Sequence, residues 1–334
     1  MKFISNLKKS VVFLVVCMCM MPFAHIWGMG FSATSMKGKH VLGYGTAEKK
    51  RLFFLDADND KEKGENVSLG TASKPRARIL TFLSNGKQVL LGQFDLLFKK
   101  ISIKSPFSFI KKCVKLKIFD IKEEKVVKSF KNLSIVDGFF SPDGEHYIVF
   151  NAKERRFEKW NIRNKKKIRT FDVKKMGGVP IFQTFSPDGK YIAVTVTKHD
   201  ATKNSGTTLL IFDVDSGRRI GSRFMRGLGV GGVKVSFSQH AQFVAVFEGA
   251  LKELVTWDKT LKKKFKTIRY PDKLNIVDIA LSYDGKYIAL FGQEKGFGKK
   301  SITILNVITG KQKEKKHVKS ELYFMQFKPS EKRK

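Results

Sequence analysis

Phe185-Ser186-Pro187-Asp188-Gly189-Lys190-Tyr191-Ile192-Ala193-Val194 decides the fold, because it joins an apolar strand end to a second apolar strand through a tight turn. Pro presets φ at the first turn position, Asp bonds its own backbone, and Gly supplies a positive φ. The unit recurs at Phe140-Ser141-Pro142-Asp143-Gly144 and at Leu281-Ser282-Tyr283-Asp284-Gly285. Weaker copies stand at Leu83-Ser84-Asn85-Gly86 and at Phe237-Ser238-Gln239-His240-Ala241.

Measured by the turn glycine or its equivalent (Gly38, Gly86, Gly144, Gly189, Ala241, Gly285), the spacings are 48, 58, 45, 52 and 44 residues. Each turn is followed by a large apolar residue and then Asp or Asn: Leu55-Asp56, Phe119-Asp120, Trp160-Asn161, Phe212-Asp213, Trp257-Asp258 and Leu305-Asn306. Turns and dipeptides alternate without a gap. Polar turns such as Asp215-Ser216-Gly217 then lead to a last, more polar strand. Four strands per unit, named a to d, make one blade of a β-propeller.

These residues resemble the WD-repeat and related bacterial propellers, whose units end strand c in a Trp-Asp-like dipeptide. Periplasmic Tol-type members carry a Ser-Pro-Asp-Gly-Lys-like turn between strands a and b. The resemblance covers residues 38–330 and implies one all-β domain of six four-stranded antiparallel blades. It also implies a scaffold for protein contacts. The chain contains no Gly-His dipeptide, so the family's His-centred hydrogen-bond network does not carry over. Leu322–Phe327 reads as a strand a and Val41-Leu42 as a strand b, so one blade is expected to combine both ends of the chain. That arrangement closes the ring and removes open sheet edges.

Residues 1–30 read as a secretory signal, with Lys2, Lys8 and Lys9 ahead of the apolar run from Val11 to Met21. An uncleaved anchor is the alternative, because no charged residue stands between Lys9 and Lys37. Either way the expected location is outside the cytoplasm: periplasmic or secreted after cleavage, inner-membrane anchored without it. Cys17 and Cys19 fall in this run, which leaves Cys113 alone in the remainder and excludes an intramolecular disulfide there.

The formal charge is +35. Cations gather in the turns from c to d and in the d strands, and Lys165, Lys166, Lys167, Lys262, Lys263 and Lys264 are the candidate polyanion-binding residues. They point to an anionic membrane surface or another polyanion; the alternative is a solvated outer wall with a compositional bias towards Lys. A longer second unit places an insertion between a strand b ending near Gln93 and a strand c starting near Cys113. Its Phe107, Phe109, Lys111 and Lys112, with Arg226, Tyr270 and Phe297 from other loops expected on that face, are the candidate partner-binding residues. The insertion reads equally as a long hairpin packed on the next blade.

Motifs for chemistry are absent. Asp56, Asp58 and Asp60 imitate a calcium loop, but Lys61 replaces its Gly and Val67 its Glu. There is no nucleophile elbow and no phosphate loop. No catalytic residue, metal or cofactor is assigned. The expectation is a monomeric, non-catalytic scaffold with protein partners, with a polyanion-binding propeller as first alternative and a hydrolase or lactonase centred on the channel as second.

Overall fold

The computed structural model describes residues 41–46, 51–56, 66–68, 77–98, 109–131, 133, 135–136, 138–198, 206–226, 232–249, 251–269, 274–294, 299–318 and 322–327. The signal or anchor at residues 1–30 lies outside them. So do Asp58 and Asp60.

The chain is an all-β propeller of antiparallel sheets. β1 (Val41–Thr46), β2 (Arg51–Asp56) and β3 (Asn66–Ser68) form the first sheet with β25 (Leu322–Phe327), in the order β25-β1-β2-β3. β9 (Phe139–Phe140), β10 (His146–Asn151), β11 (Arg156–Asn161) and β12 (Lys167–Asp172) form the third. The fourth holds β13 (Val179–Phe185), β14 (Tyr191–Lys198), β15 (Gly206–Asp213) and β16 (Arg219–Arg226). The fifth holds β17 (Val233–Phe237), β18 (Val244–Glu248), β19 (Glu253–Trp257) and β20 (Lys264–Arg269). The last holds β21 (Leu274–Leu281), β22 (Tyr287–Glu294), β23 (Lys300–Asn306) and β24 (Gln312–Val318).

The second sheet departs from this pattern. β4 (Ala77–Phe82), β5 (Gln88–Phe98), β6 (Phe109–Asp120) and β7 (Lys125–Phe130) are joined by β8 (Ile135–Val136), which pairs with β6. The expectation of six four-stranded blades is therefore corrected: among the described residues five sheets have that form, and this one has five strands. The cause is length. β6 runs on past the last residue of β7, and β8 pairs with the exposed edge at Lys112 and Cys113, since a bare run of N–H and C=O groups invites pairing.

Closure follows the expected route. β25 lies beside β1 with Leu42 opposite Phe327, and the inner strand β25 neighbours both β21 and β4.

Apolar packing sits between consecutive sheets. One cluster joins the third and fourth through Phe157, Phe171, Phe185 and Phe212; another joins the last to the first through Phe291, Ile304, Leu42 and Met325. The alternation within each strand puts one apolar face towards each neighbour, which is why β15, β18 and β23 are buried along most of their length.

The turns repeat one chemistry. At Ser186, the Oγ donates to Asp188 Oδ1 (2.7 Å) and accepts from Tyr191 N–H (2.9 Å). Ser282 repeats both bonds with Asp284 and Tyr287, each at 2.8 Å. Gly189 holds φ +74° and Gly285 +75°, values that glycine adopts without steric cost. In the degraded copy Ala241 takes φ +51°.

From Asp120 onward, the Asp or Asn after the apolar landmark has an equally local role. Asp120 Oδ1 accepts from Lys122 and Glu123 N–H, Asn161 Oδ1 from Arg163 and Asn164 N–H, and Asn306 Oδ1 from Ile308 and Thr309 N–H. These side chains satisfy backbone donors in the turn from c to d. The same end of the sheets carries the turn from a to b, because Val214 N–H donates to Lys190 O (2.8 Å) and Val307 N–H to Lys286 O (2.8 Å).

Candidate functional site

Two surfaces carry the candidate residues. One is the second-sheet hairpin at the end opposite the Ser-Pro-Asp-Gly turns. The other is the outer wall formed by the d strands.

The described part of the insertion is strand. β5 and β6 remain paired from Gln88 opposite Asp120 out to Phe98 opposite Phe109, with a register shift between Gln93 and Phe94. Strand b thus ends later than Gln93 and strand c begins before Cys113. Phe109, Lys111 and Lys112 are strand residues rather than loop residues. Phe107, Tyr270 and Phe297 lie outside the described residues, and Arg226 is the last residue of β16. Cys113 is buried near the base of the extension. Its Sγ lies 3.6 Å from Lys115 O, and burial pushes the thiol up to about 12, which makes it unreactive.

On the outer wall every described d strand from β7 to β24 carries a bulge at one place. The extra residue is Val127, Ile168, Ile220, Phe265 or Lys313, beside the pairing of the apolar landmark on strand c. A bulge twists an edge away from further pairing, and flanking lysines guard it. The sequence gives no sign of the bulges, since these outer strands are mostly exposed and carry too little apolar alternation for a one-residue break in it to show.

Lys165, Lys166, Lys262, Lys263 and Lys264 are exposed as expected. Lys165 occupies a left-handed position, φ +56°. Lys167 is exposed but partnered. Its Nζ lies 3.4 Å from Glu158 Oε1 and 6.0 Å from the centre of the Trp160 ring. Glu158 is buried and also accepts from Asn151 Nδ2 (3.1 Å), Arg156 Nε (3.2 Å) and Trp160 Nε1 (3.2 Å). Burial alone would raise its pKa, but the Asn151 and Arg156 bonds and the Lys167 charge bring it below the ordinary carboxylate range. Lys167 therefore belongs in part to the fold.

Successive outer strands touch the next sheet. A Cβ on Gly217 would lie 2.9 Å from Thr170 O, and one on Gly221 would lie 2.7 Å from Lys259 O. Lys259 Nζ in turn donates to Tyr191 Oη (2.8 Å). The third, fourth and fifth sheets consequently carry their cations on one continuous strip.

Sequence reading missed a pair on the inner strands. Lys234 on β17 and Asp278 on β21 sit at matching places in neighbouring strands, which are also tied by Leu281 N–H donating to Ser236 Oγ (2.9 Å). No local motif marks such a pair. Among the described residues no group of three or more His, Cys, Asp or Glu side chains could hold a metal. No described helix is long and apolar enough to cross a membrane.

No known family model matches the sequence, and no curated protein matches it. Its fold is similar to a chain in the crystal structure of a nidogen–laminin complex, with TM-score 0.52 and 13% identity over 86% of this chain and 98% of that one. It is also similar to TolB from Acinetobacter baumannii, with TM-score 0.53 and 13% identity over 87% of this chain and 67% of that one. At such identity the likeness concerns the fold, and the fold is a β-propeller.

Proposed function

We propose that the chain is a non-catalytic propeller scaffold that mediates protein interactions in the bacterial envelope, acting as a monomer in the periplasm or after secretion. In this reading the five-stranded sheet completes the ring as a sixth blade. The Ser-Pro-Asp-Gly turns, in the form that Tol-type repeats share, brace one end of it.

The observation that carries the proposal is the β5–β6 hairpin. It prolongs one sheet by about five residue pairs beyond the register shift at Gln93, each strand residue advancing about 3.3 Å. A rigid ring with one extended hairpin is suited to holding a partner, since binding residues concentrate on connections presented by a fixed framework. Phe107, Phe109, Lys111 and Lys112 are the proposed contacts, with Arg226, Tyr270 and Phe297 as contacts from neighbouring connections.

Replacing residues 96–111 by Asn-Gly tests this, because that dipeptide closes a two-residue hairpin between the paired positions Asp95 and Lys112. Envelope proteins that co-purify with the full-length chain should be lost from the shortened one at an unchanged melting temperature. Retention of every co-purifying protein would overturn the assignment.

A further inference from the structure

We infer that the outer wall of the third, fourth and fifth sheets is a docking strip for an extended acidic polypeptide segment interspersed with apolar residues. The strip consists of strands β12, β16 and β20 with the turns that precede them. Its exposed cations include Lys165, Lys166 and Arg169 on the third sheet, Arg218 and Arg219 on the fourth, and Lys262, Lys263, Lys264 and Lys266 on the fifth.

The acids within this stretch are fewer than its cations and are mostly held in local bonds, exposed Asp172 accepting from Lys174 N–H. Asp213 Oδ1 accepts from the N–H and Oγ of Ser216, and Asp258 accepts from the N–H groups of Lys262 and Lys263 and from Thr260. Glu158 is held by Arg156 and Lys167. Exposed Asp215 stands 3.9 Å from Lys159 Nζ. A positive field is left facing solvent, and it attracts anionic chains.

Charge alone would suit any polyanion, so the apolar residues decide between candidates. Ile168 is 44% exposed, Phe224 50% and Phe265 42%, one on each of the three outer strands. Ile168 and Phe265 are the extra residues of their bulges, and Phe265 stacks edge-on with Phe243 at 5.1 Å, yet each, like Phe224, still presents apolar surface to solvent beside the cations. Apolar contacts flanked by cations match a chain in which Leu or Phe alternates with Asp or Glu.

Shape excludes a flat partner. The three strands belong to successive sheets around a ring, so their outward faces diverge, and a bilayer would meet only part of the strip. A flexible chain can follow the curve. The bulges oppose simple strand addition, so the segment lies across side chains.

The inference rests on the scaffold reading but uses a surface remote in sequence from the hairpin, so the variant with residues 96–111 replaced keeps this binding even where it loses its partner. The test measures fluorescence anisotropy of the full chain with a labelled peptide alternating Glu and Leu, against poly-glutamate, heparin and vesicles containing phosphatidylglycerol. The Glu-Leu peptide should bind most tightly, and binding should weaken at higher salt. Replacing Lys165, Lys166, Lys262 and Lys263 together by Gln should weaken it by roughly tenfold or more at an unchanged melting temperature, because exposed charges contribute little to folding. Ile168→Ser with Phe265→Ser should remove the preference for the Glu-Leu peptide while leaving poly-glutamate binding intact. Equal binding of poly-glutamate or heparin, preferential flotation with vesicles, or no binding by any probe would each overturn the inference.

Discussion

Lys234 and Asp278 stand at equivalent places in adjacent innermost strands, each four residues ahead of the serine that opens its sheet's turn. Asp278 is buried, and a register shift between Ile276 and Asp278 sets its position on β21. Burial raises the Asp278 carboxyl to about 7, against the pull of the Lys234 charge and of Ile279 N–H. Burial likewise lowers Lys234, opposed by Asp278.

Between the ordinary aspartate pKa of about 3.9 and the folded value of about 7, the native state holds a proton at Asp278 that the unfolded chain has released. That contribution to stability is complete below about pH 4 and is lost as pH rises through 7, with a size on the order of a few kcal/mol. Asp278→Asn should therefore gain on the parent as pH rises from 5 to 8, read as the difference between their denaturation midpoints. A difference independent of pH would show that Asp278 titrates normally.

Glu158 has the opposite sign. With its pKa held low, its ion pairs stabilise the fold above the ordinary glutamate pKa, and the contribution is lost as pH falls through the folded value. Glu158→Gln should cost about 1–3 kcal/mol at neutral pH, because Arg156 and Lys167 lose the buried negative charge they pair with and an NH2 donor replaces one of the two acceptor oxygens. The loss should shrink in acid. Urea denaturation at neutral pH and at pH 3.5 checks both statements.

Trp257 packs in the cluster joining the fourth and fifth sheets, only 4% exposed, with the Arg223 guanidinium 3.9 Å from its ring centre. Trp257→Ala should cost about 3–5 kcal/mol through cavity formation. Trp257→Phe should keep most of that stability, since it retains an aromatic ring beneath Arg223. Equal denaturation midpoints for the Ala variant and the parent would contradict the packing.

The fold was legible where its chemistry is local. Ser186 with Asp188 and the Asp or Asn after each strand c act within a few residues of themselves, so their spacing announces the blades. The hairpin was less legible, because Phe109-Ile110-Lys111-Lys112 does not alternate in the manner of a half-buried strand. Its regular backbone follows from pairing with β5 across the chain. The outer-strand bulges, the partnering of Lys167 by Glu158 and the meeting of Lys234 with Asp278 depend on neighbouring strands or sheets. None of these leaves a mark within one repeat.

Gly285 provides a test of how tightly neighbouring sheets are joined at the turn end. Its φ of +75° already disfavours other residues, and an added Cβ would lie 2.5 Å from the Phe243 ring, which stacks edge-on with Phe265 at 5.1 Å. Close by, Gln239 N–H donates to Tyr283 O at 3.0 Å, so the two turns are also bonded through their backbones. Gly285→Ala should therefore cost more than the roughly 1 kcal/mol of left-handed strain alone, because the Phe243 ring must move and disturb this seam. Phe243→Ala in the same chain relieves the clash. The double variant should then be less destabilised than the sum of the two single ones, an interaction that a double-mutant cycle reads directly. Additive losses would show that the strain at Gly285 is confined to its own backbone.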